Sequence, residues 1–380
     1  MDFAWTAEHE AFRTKVRDFL AAHLPQDWPG ASGNFDAGGY YTTDFARDFC
    51  PKLAAAGLLV PHWPKEYGGQ GADAWHHWIL NEEMFEAGEP RSYQYMSVNW
   101  AGPALIKFGT EAQKAEHLPR IAEGKLFYCQ GFSEPNAGSD LASLRTSAKL
   151  ENGRYRINGQ KIWTSAASFA DYCIVLARTG EGRKAITVLI LPMDRPGIQV
   201  NVIKGFQGAR AFHEVFFDEV EAGPEDILGE VGTGWDVVQA VMHNERVGAP
   251  RYTLTIRGLE EAVALLQAQG RFSDSAVRTR AARARVACEA ARLQAYQIID
   301  GRVKGLPPTA ATSTTRYSMV MADKMVADFL GDYLGDELIR NVSPAMSAAY
   351  RRTGSTGVAS GTAEVQLNLI ARNMLGLPKE

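Results

Sequence analysis

Two changes of hydrophobic texture divide this chain, and they constrain its fold more than any single motif does. Up to about residue 127 apolar residues recur at helical spacing. Thr6 is placed to cap a helix through Phe12, Val16, Phe19 and Leu20, and Thr110 to cap another through Leu118 and Ile121. From Tyr128 the period shortens to runs rich in β-branched and aromatic residues, RYRING, DYCIVLART, KAITVLILP and EVFFDEV. NG, TGEG and DRPG turns separate them, and the last ends near Leu228. After Gly234 helical spacing returns, in segments from Trp235, from Ser275 to Asp300, from about Thr312 and from Ala363 to Leu375. The order helix, sheet, helix in separate blocks predicts an α+β fold, with a helical domain over 1–127, a β domain over 128–228 and a second helical domain over 229–380.

With 380 residues, 46% of them hydrophobic, the chain can bury the cores that two or three domains need. The net charge of -4 and the lack of a long basic run argue against nucleic acid as a partner. Cys50, Cys129, Cys173 and Cys288 lie far apart with no CxxC pair, so neither a metal site nor a disulfide framework is expected. The amino terminus is charged from its second residue, and no stretch approaches the roughly eighteen apolar residues of a membrane span. The expectation is therefore a cytoplasmic protein with no membrane partner. The Gly- and Asn-rich stretch at 30–39 and the Tyr-Gly-Gly-Gln-Gly run at 67–71 read as surface or ligand loops.

The chemistry is concentrated in three segments. The first, CQGFSEPNAGSD at 129–140, is a strand end running into a turn of small residues with free N–H groups, through which a backbone can approach phosphate. A plain polar connection fits that pattern equally well. The second, NGQKIWTSAASFADYCIVLART, follows an NG hairpin turn and reads as two strands joined by a short loop, with Trp163 open to simple sheet packing. The third is VVQAVMHNERVG, on the first helix after the sheet. There Val238, Val241, Met242 and Glu245 share a face, so a carboxylate sits on an apolar stripe. It either pairs with an arginine, Arg246 or Arg251, or is held there for chemistry.

Residues 133–140, Ser-Glu-Pro-Asn-Ala-Gly-Ser-Asp, strongly resemble the TEPGAGSD signature of the acyl-CoA dehydrogenase family, and the likeness extends over essentially the whole chain. The resemblance implies an amino-terminal helical domain, a central β domain and a carboxyl-terminal four-helix bundle, with FAD at their junction. By position it makes Gln130, Phe132, Ser133, Gly138 and Ser139 flavin contacts, with Ser139 also beside the substrate. Trp163, Thr164 and Ser165 would lie against the flavin ring, Ser165 standing where the family commonly has Thr. The absence of a strand-linked GxGxxG agrees, since the family binds flavin without one.

The family carries its catalytic base, a glutamate, at one of two positions. At the commoner one, before a Gly-Thr near the carboxyl end, this chain has Ser360, which is no strong base. The other is the helix position of Glu245, which the resemblance therefore makes the base that removes the α proton. By the same resemblance the backbone N–H of Ser360 steadies the thioester oxygen, Arg246 orients Glu245 or contacts substrate, and Thr362 and Glu364 meet the nucleotide.

Two family stretches that grip a neighbour's cofactor, Arg-x-x-Phe-Gly and Gln-x-x-Gly-Gly, are missing; the chain reads QAQGRFSDSAVRT and DYLGDELIRN there. This suggests a dimer or tetramer, with a heterotetramer that includes a second dehydrogenase subunit among the options, as in bacterial enzymes for steroid side-chain thioesters. Such an enzyme would act on an acyl-CoA substrate and pass electrons to an electron-transfer flavoprotein. Competing readings are an acyl-CoA oxidase, a flavin monooxygenase of the same fold, or a non-catalytic subunit.

Overall fold

The computed structural model describes residues 5–28, 30, 40–182, 185–205, 208–307 and 309–378, so nearly all of the 30–39 stretch lies outside the described residues. The first block contains α1 (Ala7–His23), α2 (Tyr40–Ala55), α3 (Ala74–Glu86), α4 (Gly102–Phe108) and α5 (Glu111–Ala122). Both expected caps form. Thr6 accepts from the His9 N–H, and Thr110 makes a reciprocal capping box with Gln113, which satisfies donors the first helical turn cannot use. Between α3 and α4 a turn at Gln94–Met96 runs into a π-helical turn, Ser97–Ala101, a local geometry frequent at functional sites.

The sheet contains β1 (Tyr128–Gly131), β2 (Ser147–Glu151), β3 (Arg154–Lys161), β4 (Tyr172–Arg178), β5 (Ile186–Pro192), β6 (Ile198–Gly205), β7 (Gly208–Ala222) and β8 (Ile227–Leu228). Its order is β6-β7-β3-β2-β4-β5-β8, with β1 parallel to β4. Strand side chains alternate faces, and β4 and β5 are buried on both. Ile174, Leu176, Val188 and Ile190 join the core shared with the first helical block, while Cys173, Val175, Leu189 and Leu191 fill a core on the other face.

The chain's two Asn-Gly pairs behave differently. Asn152-Gly153, with φ of 52° and 80°, makes the hairpin turn between β2 and β3. Asn158-Gly159, which opens the second segment, is not a turn but a bulge inside β3. A Cβ at Gly159 would come 2.5 Å from Thr146 Oγ1, so only glycine lets the strands pass there.

The last block contains α6 (Gly234–Arg246), α7 (Tyr252–Ala268), α8 (Ser275–Val303), α9 (Ala311–Ile339), α10 (Pro344–Thr356) and α11 (Ala363–Asn373). Helices α7 to α10 pack as a bundle around a separate core. The buried face of α8, Val277, Ala281, Ala284, Cys288, Ala291, Ala295 and Ile299, repeats every three or four residues with side chains small enough for close helix approach. Helix α6 stands apart: Val237, Val238 and Val241 are buried in the first core, at ~1.5–3 kcal/mol per side chain. That anchoring holds the carboxyl end of α6 where all three blocks meet. All four cysteines are buried and free, and among the described residues no helix is long and apolar enough to cross a membrane.

Candidate active site

The SEPNAGSD turn is built around one buried ion pair. Glu134 and Ala137 exchange backbone hydrogen bonds, closing the turn over Pro135 and Asn136. The Glu134 carboxylate accepts from the backbone N–H groups of Arg145 (2.6 Å) and Thr146 (2.8 Å) and from Lys161 Nζ (2.8 Å). Lys161 also donates to the Phe132 carbonyl and is fully buried. Burial pushes Glu134 upward, but the Lys161 ammonium and the N–H donors outweigh it and hold the carboxyl below its ordinary value. The turn is thus fixed from beneath, with Ser139 exposed and Gly138 facing space in which a Cβ would meet nothing within 4 Å.

A second loop leans on the first, the Ile162 N–H donating to the Ser133 carbonyl. Trp163, left open to sheet packing by its spacing and set against the flavin ring by the resemblance, lies beyond the end of β3 on left-handed backbone (φ 59°), is 57% exposed, and touches Phe212 edge-on. Thr164 is buried, and its Oγ1 has no partner among the described residues. His213, unremarked in the sequence, holds this loop. Its carbonyl accepts from the Thr164 N–H, its Nδ1 bonds the Thr164 carbonyl and its Nε2 bonds Ser168 Oγ. Burial lowers the His213 pKa, so the ring is neutral, with the proton on Nδ1 as the carbonyl requires. An exposed indole beside an unsatisfied hydroxyl fits a planar ring that carries acceptors.

On α6, Glu245 is half-buried and accepts from Ser360 Oγ at 2.7 Å. Of the two arginines offered as alternative partners, neither Arg246 nor Arg251 is within ion-pair distance of it among the described residues. Burial lowers the Arg246 pKa against the pull of Glu245, and Arg246 Nε has no partner among the described residues. Ser360 itself has left-handed backbone (φ 59°), as does Gly361, and the Ser360 N–H meets no acceptor among the described residues. Two buried side chains hold this strained link. Gln366 Nε2 donates to the carbonyls of Ser360 and Gly361, and Arg316 Nη2 to those of Thr356 and Ala359. Burial brings Arg316 down to about 10. Thr362 caps α11 through the Val365 N–H, and Glu364 lies in that helix's first turn, held below its ordinary value by its own backbone N–H and the Thr362 hydroxyl.

The two halves share a cavity. Val241, one turn before Glu245, lines it together with Gln130, Phe132, Met96, Trp100 and Ile174. Glu245 does not itself line this apolar wall but lies one helical turn beyond Val241, where a carboxylate can take a proton from a chain bound alongside. Arg316, His213 and Lys161 were not singled out in the sequence, because each acts through a partner distant along the chain.

Three family models match in succession: the acyl-CoA dehydrogenase N-terminal domain over 6–125, the middle domain over 129–220 and the C-terminal domain over 232–375. The acyl-CoA dehydrogenase IpdE1 of Mycobacterium tuberculosis is 33% identical over 379 residues, covering 98% of each chain. Its namesake in Mycolicibacterium smegmatis is 32% identical over 390 residues, covering 98% of this chain and 99% of the other. Among solved structures, the steroid ACAD Tcur3481-Tcur3483 has a TM-score of 0.88 at 29% identity over 100% of both chains. The ChsE4-ChsE5 complex from Mycobacterium tuberculosis has 0.86 at 27% identity, again over 100% of both. With three domain models matched in order and relatives aligned end to end, the chain belongs to the acyl-CoA dehydrogenase family of flavoprotein oxidoreductases.

Proposed function

We propose that the protein removes two hydrogens from the α and β carbons of an acyl-CoA thioester, with Glu245 as the base. The observation that carries this is the hydrogen bond from Ser360 to Glu245. The residue at one of the family's two base positions is a donor that holds the carboxylate at the other. Glu245 lies one helical turn beyond Val241, so its face of α6 continues the cavity wall. An Oε of Glu245 takes the α proton, and the unpartnered Ser360 N–H donates to the thioester oxygen as charge develops there. The rim of Phe132 to Ser139 and Trp163 to Ser165 would hold FAD, the orphaned Thr164 hydroxyl donating to its ring. When bound, FAD supplies the acceptor for the β hydrogen, transferred as hydride.

A bulky acyl group, including a steroid side chain, and a second dehydrogenase subunit are part of the same reading. The likeness to the steroid ACAD structure and to the ChsE4-ChsE5 complex supports both. Arg271, in the stretch where the family's neighbour-gripping pattern is missing, is exposed and bonds within its own chain, donating to the Tyr333 carbonyl and to Gln269. An electron-transfer flavoprotein would reoxidise the flavin.

The test is anaerobic stopped-flow reduction of the flavin by a panel of acyl-CoAs, steroid side-chain thioesters included. Glu245→Gln should slow bleaching by roughly 10²–10⁴-fold. Bleaching at the unaltered rate in that variant would place the base elsewhere and overturn the proposal.

A further inference from the structure

Glu245 is held at its side chain by Ser360, and the backbone just beyond it is held from two other helices. Val247 to Pro250, the link that leaves α6 for α7, is buried, so its carbonyls must find donors inside the protein. Arg302, in the last turn of α8, donates from Nη1 to the Val247 carbonyl at 3.0 Å. Asn81, fully buried on α3, donates from Nδ2 to the Gly248 carbonyl at 3.2 Å. The two bonds fall on the second and third residues after Glu245.

Both donors are themselves fixed. Asn81 Oδ1 accepts from Arg91 Nη2 at 2.9 Å, and the Arg91 guanidinium makes two further bonds of 2.7 Å to the Glu89 carboxylate, which settles which end of the amide faces the link. Burial lowers the Arg302 pKa to about 10, so the side chain is still cationic at neutral pH and its bond to the carbonyl is charge-assisted. The same frame reaches the wall of the cavity. His77 Nε2, on α3 one turn before Asn81, lies 3.1 Å from Asn81 Nδ2 and 2.6 Å from Asn99 Oδ1. Asn99 belongs to the π-helical turn, next to Trp100 and Ala101, which line the cavity; Asn81 and Arg302 do not.

We infer that Asn81 and Arg302 are positioning residues for the dehydrogenation, which set the direction of Glu245 by fixing the two carbonyls that follow it and act through that carboxylate rather than on the thioester. This rests on reading Glu245 as the base. A reacting group displaced by about 1 Å can lose on the order of a hundred-fold in rate, so a frame around the end of α6 bears on chemistry without touching substrate.

The test is anaerobic single-turnover reduction of the flavin in the holoenzyme. Butanoyl-, octanoyl-, hexadecanoyl- and steroid side-chain CoA thioesters are the probes, and the one that reduces the unaltered enzyme fastest is used throughout. Arg302→Met fills the space without a donor and should lower the limiting rate roughly ten- to a hundred-fold. The half-saturating thioester concentration should change by less than about two-fold, because no substrate contact is lost. Arg302→Lys, which keeps a charged donor, should recover most of the rate. On a Glu245→Gln background Arg302→Met should slow reduction no further, since no carboxylate is left to misplace. Asn81→Leu, read in the same way, carries the test if Arg302→Met does not fold. A lowered melting temperature with an unchanged rate per bound flavin, or a loss that multiplies with that of Glu245→Gln, overturns the inference and leaves the base standing. If Glu245→Gln by itself bleaches at the unaltered rate, or no probe bleaches the enzyme, both readings fall.

Discussion

Replacing Glu134 by Gln tests whether the SEPNAGSD turn is held by the buried ion pair beneath it. The Lys161 side chain is 0% exposed and its ammonium has two acceptors, Glu134 Oε1 at 2.8 Å and the Phe132 carbonyl at 3.2 Å. Gln keeps the shape but removes the charge, and it turns an N–H₂ toward the Arg145 or Thr146 N–H that the carboxylate now accepts from. Breaking a buried pair from one side costs about 3–5 kcal/mol, since the remaining charge stays buried and uncompensated. Lys161→Met should cost a similar amount, leaving Glu134 with only its two N–H donors. The double variant removes both charges and should be closer to the unaltered protein than either single one, giving a coupling energy of several kcal/mol. Denaturant unfolding of all four proteins, followed through flavin release, measures the cycle. Effects that add to within about 0.5 kcal/mol would refute this account of the turn. The pH dependence has a definite sign. Because the folded Glu134 pKa is depressed, its stabilisation is present above the unfolded value of about 4.3 and is lost as pH falls through the folded value, an acid-side loss that Glu134→Gln should lack.

Ser360→Ala removes a donor to a charged oxygen, a bond worth about 1.5–3 kcal/mol, so kcat/KM should fall roughly ten- to a hundred-fold with little change in unfolding midpoint. His62, its ring tilted against that of His77 with centroids 3.7 Å apart, is held at about 3, first by burial and then by Arg302 and Arg91. The unfolded chain takes up that proton first, so stability should fall by up to about 1.4 kcal/mol per pH unit between roughly pH 6.5 and 3. His62→Gln should shrink that slope without abolishing it, because His77 is also held low; unfolding free energies at several pH values measure this. Gly102→Ala would set a Cβ 2.0 Å from Trp63 Cζ2 in the first core and should lower the melting temperature through overpacking of about 1–3 kcal/mol.

The block order, the helix caps and the apolar stripe of α6 were legible because each is written in local spacing. Thr6 and Thr110 cap where their spacing says, and Val238 and Val241 are buried as the helical period requires. Local spacing could not tell Asn152-Gly153 from Asn158-Gly159. The pair with strands on either side and nothing to cross makes a turn, while the pair that must pass Thr146 between β2 and β7 becomes a bulge. It could not place Trp163, whose position depends on where β3 ends and on His213 in the neighbouring strand β7. It also left open whether Glu245 answers to an arginine or to chemistry. The sequence by itself determined which elements form, and that a carboxylate rides on the buried side of α6. Only the tertiary structure decided what that carboxylate meets, because the donor, Ser360, lies 115 residues away on a link strained into left-handed backbone and held by Arg316 and Gln366. Period and propensity act over a few residues, whereas a polar contact between α6 and the α10–α11 link exists only once three cores have packed.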